Sequence, residues 1–289
     1  MHQSVLLAPS LDYLAIRPDG IYVDATFGNG GHSRAILDRL NGGRLISIDA
    51  DPEAVERSRA IRDAAFTFVQ ANFSELRRVL DECGVELVDG VLFDLGVSSM
   101  QLDSGARGFS FREDAPLDMR MNPHAGRSAY DILASASERE LADIFFKYGE
   151  ERAARRIAHA IVIRRNEGRL PKTTMEFAAF VSGVVHRPGK RERIHPATRV
   201  FQALRIAVND ELDVLREGLV SAIDSLRAAG RVVSISFHSL EDRIVKQTFR
   251  GDERLEILTK KPVVPDEAEM AENPRARSAK MRAAQRKAS

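Results

Sequence analysis

The chain has 289 residues and a formal net charge of +1. That length fits one large domain or two modest ones at about 100–200 residues per domain, and the near-neutral charge means that a nucleic-acid partner would need a local basic patch. Hydrophobic residues make up 44% and charged residues 29%, the balance of a soluble globular protein. The chain has no apolar run of the roughly 18 residues a membrane span needs, and its first residues lack the basic and apolar regions of a signal peptide. A single cysteine, Cys83, excludes an internal disulfide and a multi-cysteine metal site, and the histidines are scattered without an HExxH pattern. No metal is expected, and the reducing cytoplasm is the simplest compartment.

Residues 8–16 read as a short helix before the turn Arg17-Pro-Asp-Gly20. Ile21-Tyr-Val-Asp-Ala-Thr-Phe-Gly-Asn-Gly-Gly31 follows, a buried strand running into a glycine-rich turn, with a helix from about His32. Glycines allow close backbone approach to a ligand, and the first turn of a helix offers unpaired N–H groups. A dinucleotide fingerprint would need a third glycine where Ser33 stands. Asp24, Thr26, Gly28 and Gly30 instead match the nucleoside turn of S-adenosylmethionine (SAM) methyltransferases. Arg44–Ile48 is a second strand ending on Asp49, placed to hold a ribose hydroxyl pair or to cap the helix that Asp51-Pro-Glu-Ala54 opens. Phe66–Gln70 is a third strand. Phe73 lies just past its end, to stack on adenine or to join the core. Ser74–Cys83 reads as a helix, and Val88–Phe93 as a fourth strand ending on Asp94. Strand–helix alternation of this kind builds a doubly wound parallel sheet whose ligand lies beyond the strands' carboxyl ends. The glycine turn, Asp49, Phe73 and Asp94 all fall at that edge.

Leu95 to Pro123 has no clear period, and such a segment is usually functional. Within it Arg107-Gly-Phe-Ser-Phe-Arg112 alternates basic and aromatic residues. That suits either stacking on an unpaired base or a loop whose Phe109 and Phe111 plug the core. Residues 128–208 are expected to be helical, with a capping box at Ser137–Glu140. This block breaks the alternation and reads as an inserted domain. It is rich in arginine and lysine, and the Arg187–Arg193 loop would suit phosphate. Asn209–Ala229 is a further helix stopped by Gly230. Arg231–Phe237 is a fifth strand, His238 a functional or capping histidine, and Ser239 the expected N-cap of the next helix. Leu255–Leu258 would be an antiparallel edge strand, and Arg275–Lys287 a basic tail, in contact with RNA or disordered.

A SAM enzyme of this layout has few routes. Cys83 lies away from the site edge, which rejects the cysteine nucleophile of pyrimidine-carbon methylation. Methylation of an exocyclic amine needs only an acceptor to orient the N–H, and Asp94 is placed for it. The Asp/Asn/Ser-Pro-Pro-aromatic tetrapeptide of amino-methyltransferases is absent; Asp94-Leu-Gly-Val97 stands there.

Taken together, Asp24–Ser33, Asp94-Leu-Gly-Val-Ser-Ser99 with Gln101, Arg107–Phe111, Pro116–Met121, Tyr148–Arg152, His195–Arg199, Ser236–Arg243 and Asn273–Ser278 resemble the bacterial small-subunit ribosomal RNA cytosine-N4 methyltransferases over nearly the whole length. The resemblance implies N4-methylation of one cytidine in the decoding region of 16S rRNA, in the cytoplasm, with SAM as cofactor. It implies a Rossmann-like class I SAM methyltransferase sheet with an inserted all-helical domain: residues 1–110 and 209–289 for the former, 111–208 for the latter. It places the SAM contacts at Gly30, Gly31, His32, Asp49, Phe73, Asp94 and Gln101, with Asp94 also at the acceptor. Two other readings of the chain are a nicotinamide-dependent oxidoreductase and a non-catalytic RNA-binding ribosome-assembly factor.

Overall fold

The computed structural model describes residues 4–97, 107–185 and 194–288. The chain divides into two compact units, Met1–Gly96 with Leu212–Ser289, and Val97–Glu211. The junctions fall next to Gly96 and Leu212, where the sequence reading put them at 110 and 209.

The first unit holds the sheet. After helix α1 (Leu7–Leu14) come β1 (Ile21–Asp24), α2 (Gly31–Leu37), β2 (Arg44–Asp49), α3 (Pro52–Ser58), β3 (Phe66–Gln70), α4 (Leu76–Glu82) and β4 (Val88–Asp94). β1 lies between β2 and β4, with Val23 level with both Ile46 and Val91, and all three pairings β2–β3, β1–β2 and β1–β4 are parallel. These strands read as apolar runs rather than alternating ones because helices can cover both faces of a parallel sheet. Val23, Leu45, Ile46, Ile48, Val91, Leu92 and Phe93 are all fully buried. α3 starts where the sequence places it: Pro52 sits in the first turn and the Asp51 carboxylate accepts the Glu53 N–H.

The second half of this unit adds β5 (Leu226–Ser236), β6 (Leu255–Ile257) and β7 (Lys280–Arg286), giving the order β3-β2-β1-β4-β5-β7-β6. β5 is parallel to β4, and β7 runs antiparallel between β5 and the edge strand β6. This is the class I methyltransferase sheet expected from the sequence. Two expectations change here. The fifth strand starts at Leu226 rather than Arg231, because its pairing with β4 begins there and resumes after an irregularity between Val88 and Gly90. The supposed basic tail is β7: Met281, Ala283 and Ala284 are buried, and Arg282 is buried with its guanidinium donating to both Asp242 oxygens at 2.7 and 3.2 Å. Small side chains fit a strand covered on both faces, and the paired arginine satisfies the rule that a buried charge needs a partner.

The second unit contains α5 (Ala129–Ser135), α6 (Glu138–Gly149), α7 (Ala154–Asn166), α8 (Thr174–Val185) and α9 (Ala197–Val208). Ser137 and Glu140 form the reciprocal capping box that their spacing predicts. Leu141, Phe145, Ile157, Ile161, Phe177, Val181, Val200 and Leu204 make a fully buried core. The Arg107–Arg112 segment belongs to that core. Phe109 is buried in it, and the Phe111 ring packs 4.7 Å from His195 and 4.8 Å from Phe201. Arg107 lies over the Phe109 ring and donates to the Arg120 and Met121 carbonyls. The aromatics therefore plug this unit, and base stacking by Phe109 is set aside. The arginines and lysine of 186–193 lie outside the described residues.

Candidate active site

The sheet unit gathers its functional side chains where β1, β2 and β4 end. After the helical unit the chain returns through α10 (Glu211–Ser225) and β5, which lies parallel beside β4, so the start of α11 (Ser239–Gly251) reaches the same edge. The glycine turn is held by backbone bonds from Phe27 N–H to Ile48 and from Gly30 N–H to Phe27, at 2.9 and 2.7 Å. Gly30 has φ +73°, and a Cβ on it would sit 2.8 Å from the Phe27 ring; one on Gly31 would sit 2.0 Å from Ser4 Oγ. Only glycine fits either position without displacing a neighbour.

Asp49 is clamped to this turn. One carboxylate oxygen accepts the Gly28 N–H at 2.8 Å and the other the Asp51 N–H at 2.9 Å. Arg57 fixes the opposite face of the same residue by donating to the Gly28 carbonyl at 2.9 Å. Asp49 is thus not the cap of α3, a role Asp51 fills. Burial raises the Asp49 carboxyl, and the two amides oppose that rise. Each carboxylate oxygen keeps a lone pair for a further donor. Phe73 is half-buried beyond β3, its ring edge-to-face with Phe93 at 5.5 Å.

At the end of β1 the buried Asp24 accepts from Ser33 Oγ at 2.6 Å and from the Thr26 N–H at 3.2 Å. Burial pushes it up to about 6, with those two donors opposing. Ser33 is the residue that broke the dinucleotide fingerprint; its hydroxyl also lies 2.8 Å from Ser47 Oγ, so it ties three elements together. Thr26 Oγ1 accepts the Asp94 N–H at 2.6 Å. The Asp94 side chain is a quarter exposed, with Oδ2 3.6 Å from His32 Nδ1. Its Oδ1 and the His32 Nε2 are buried and make no hydrogen bond. Burial, with the neighbouring Asp24 and Glu241 charges, pushes the Asp94 carboxyl well above the usual carboxylate range. Burial pushes His32 down to about 4 against the opposing effect of the Val5 backbone, so the imidazole is neutral near pH 7.

His238, not Ser239, caps α11. Its Nδ1 accepts the Glu241 N–H at 3.4 Å, and the Glu241 carboxylate accepts the Phe237 and His238 N–H groups at 2.8 and 3.3 Å. An imidazole nitrogen here takes the role of a hydroxyl or carboxylate oxygen. Cys83 lies at the other end of the sheet, where Arg44 at the start of β2 reaches its carbonyl at 3.4 Å.

The structure therefore brings Gly30, Gly31, His32, Asp49, Phe73 and Asp94 to one edge; Gln101 lies outside the described residues. Thr26, which the sequence reading placed in the nucleoside turn, belongs to the same edge, as do Ser33 and Glu241, which escaped that reading as functional residues. For Glu241 the signal was its position three residues after a cap. For Ser33 it was the spacing from Asp24 across the turn.

Residues 1–287 match the model of the MraW methylase family. A protein of Geobacter sulfurreducens named ribosomal RNA small subunit methyltransferase H is 52% identical over 99% of this chain and 98% of its own length. Proteins of the same name from Nitrosomonas europaea and Burkholderia vietnamiensis are 48% and 52% identical, each over 99% of this chain and 97% of their own. With the family model spanning the sheet, the glycine turn and the helical unit alike, this chain is a member of the MraW methylase family.

Proposed function

We propose that this protein transfers the methyl group of SAM to the exocyclic N4 of a cytidine in the decoding region of 16S rRNA. The observation that carries the reading is Asp94: a partly exposed carboxyl at the end of β4, with one buried oxygen that has no hydrogen-bond partner among the described residues, beside neutral His32 and the glycine turn. The names of the relatives, ribosomal RNA small subunit methyltransferase H, support the rRNA class of substrate.

The residues fit SAM. Asp49 has lone pairs to spare for the two ribose hydroxyls, each such bond contributing about 1.5–3 kcal/mol. The Gly30–Gly31 turn, packed against Phe27 and Ser4 where a Cβ would collide, would hold the methionine moiety by its backbone. The orphaned His32 Nε2 offers it a polar contact, and half-buried Phe73 would line the adenine. SAM supplies an electrophilic methyl group. The protein's part is alignment, which can be worth about 7–11 kcal/mol. Asp94, a quarter exposed, would accept the N4–H through its carboxylate and orient the nitrogen lone pair. The Asp94 main chain cannot drift, because Thr26 holds its N–H.

We assign substrate recognition to the helical unit, and Gln101 to the border of the acceptor. Among the described residues no helix is long and apolar enough to cross a membrane, and the cytoplasm is the compartment in this reading. Asp94→Ala should abolish methyl transfer while leaving binding of 16S rRNA intact; retention of transfer would refute the role of Asp94, and loss of RNA binding would make it a structural residue.

A further inference from the structure

Two of the segments that carry the sequence resemblance, Tyr148–Arg152 and His195–Arg199, have no part in the cofactor site. The helical unit brings them together. Gly149, at the end of α6, lies against the first turn of α9, where a Cβ on it would sit 2.6 Å from the Arg199 carbonyl oxygen. Gln202 on α9 donates to the Tyr148 carbonyl at 3.0 Å and holds the two helices at that level. Glu150 turns the chain with φ +49°, and Arg152 and the start of α7 follow directly.

Arg152, Arg155, Arg156 and Arg199 are all exposed. Among the described residues none of these four side chains makes an ion pair or hydrogen bond. Other cations of the same unit do: Lys147 pairs with Asp143, Arg169 with Glu167 and Arg205 with Glu211. The first turns of α7 and α9 hold no acidic residue, whereas α5 begins with Asp131, α6 with Glu138 and Glu140, and α8 with Glu176. A cation in a first turn opposes the helix dipole, so helix stability does not account for arginines at 155, 156 and 199. One turn before Gly149 on α6 stands Phe146, 64% exposed, while its neighbour Phe145 enters the core. A single exposed apolar side chain needs no explanation. Beside four unpaired arginines it completes the combination that takes up unpaired bases and phosphates.

We propose that Phe146, Arg152, Arg155, Arg156 and Arg199 form the surface on which the helical unit holds a single-stranded segment of 16S rRNA, the ring stacking on a base and the arginines meeting phosphates. The inference rests on the rRNA methyltransferase reading above. Folding takes the basic and aromatic pairing of Arg107–Arg112 into the core and builds another here, from α6, α7, α9 and the turn after α6.

The test is binding of unmodified 16S rRNA by the full chain across a salt series of about 50 to 200 mM. On a single strand each lost phosphate contact lowers the slope of log affinity against log salt by about 0.7, so glutamine at all four arginine positions should lower it by about 3. Lysine at the same positions keeps the charge and should keep most of the slope. Phe146→Ala should weaken binding about five- to hundredfold at every salt concentration, with the slope unchanged. Arg169→Gln, on a paired arginine beyond the far end of α7, should change neither. SAM affinity and the thermal melt should match wild type in every variant, because the altered side chains lie in solvent. An unchanged slope in the fourfold glutamine variant, wild-type binding by Phe146→Ala, or a drop in Arg169→Gln equal to that in Arg199→Gln would each overturn the proposal. Those results leave the methyltransferase reading standing; failure of the unaltered protein to bind 16S rRNA at all would refute the rRNA reading and this inference with it.

Discussion

Replacing Asp49 by alanine tests the cofactor side of the site with magnitudes that follow from its contacts. The carboxylate accepts two backbone N–H groups, from Gly28 at 2.8 Å and Asp51 at 2.9 Å. Losing bonds to a charged acceptor costs about 1.5–3 kcal/mol each, offset in part because the buried charge also disappears. The folded state should therefore lose about 1–3 kcal/mol, since Arg57 still holds the Gly28 carbonyl. SAM binding should suffer more. Two ribose-hydroxyl bonds at about 1.5–3 kcal/mol each translate into roughly a hundredfold to ten-thousandfold weaker binding. Asp49→Asn keeps one acceptor and should fall between. Titration calorimetry with SAM, beside a thermal melt to establish folding, measures both effects. A folded Asp49→Ala protein that binds SAM within about threefold of wild type would refute the ribose role.

Other outcomes follow from the same geometry. Stability should depend on His32 in mild acid: its ordinary value of 6.5 falls to about 4 in the fold, so the unfolded chain binds the proton more tightly and stability drops as pH falls through that interval. His32→Gln should remove about 2 kcal/mol of this loss at about pH 5, read from urea unfolding at that pH and at neutrality; Asp24 works in the opposite direction over an overlapping window and is common to both proteins. Gly31→Ala should perturb the turn and weaken SAM binding, whereas Gly42→Ala, whose Cβ meets nothing within 4 Å, pays only for its positive φ; equal SAM affinities would count against the turn. Phe109→Ala should destabilise the protein by about 3–5 kcal/mol as a core truncation, so a chemical melt unchanged from wild type would return Phe109 to the list of base-stacking candidates. Arg282→Ala removes the main partner of the partly exposed Asp242, which keeps only Lys280 at 4.0 Å, and should cost about 1–3 kcal/mol; a variant as stable as wild type with weakened RNA binding would instead favour the tail reading of that segment.

The parts of the fold legible in the sequence are those whose signal is local. β1 to β4 are short apolar runs closed by Asp24, Asp49 and Asp94, and the α6 cap announces itself at Ser137 and Glu140. What hid was set by partners far along the chain. Lys280–Arg286 reads as a charged tail until Asp242, about forty residues earlier, is seen to neutralise Arg282. Arg107–Arg112 reads equally as a base-stacking surface or a core plug until the helical unit supplies Phe201 and His195 to pack on it. The candidate site divides the same way. Strand ends and glycines placed Asp49, Phe73 and Asp94, but Ser33 acquires meaning only when the fold sets it against Asp24 and Ser47. Glu241 joins the edge because β5 carries the chain back beside β4 before α11 begins.

The central claim is the identity of the methylated atom. Small ribosomal subunits from a strain lacking this gene should accept one methyl group from labelled SAM, and nucleoside mass spectrometry of the digested 16S rRNA should find it as N4-methylcytidine. Label in a different nucleoside, or on another atom of cytidine, would contradict the account of Asp94 and the acceptor site.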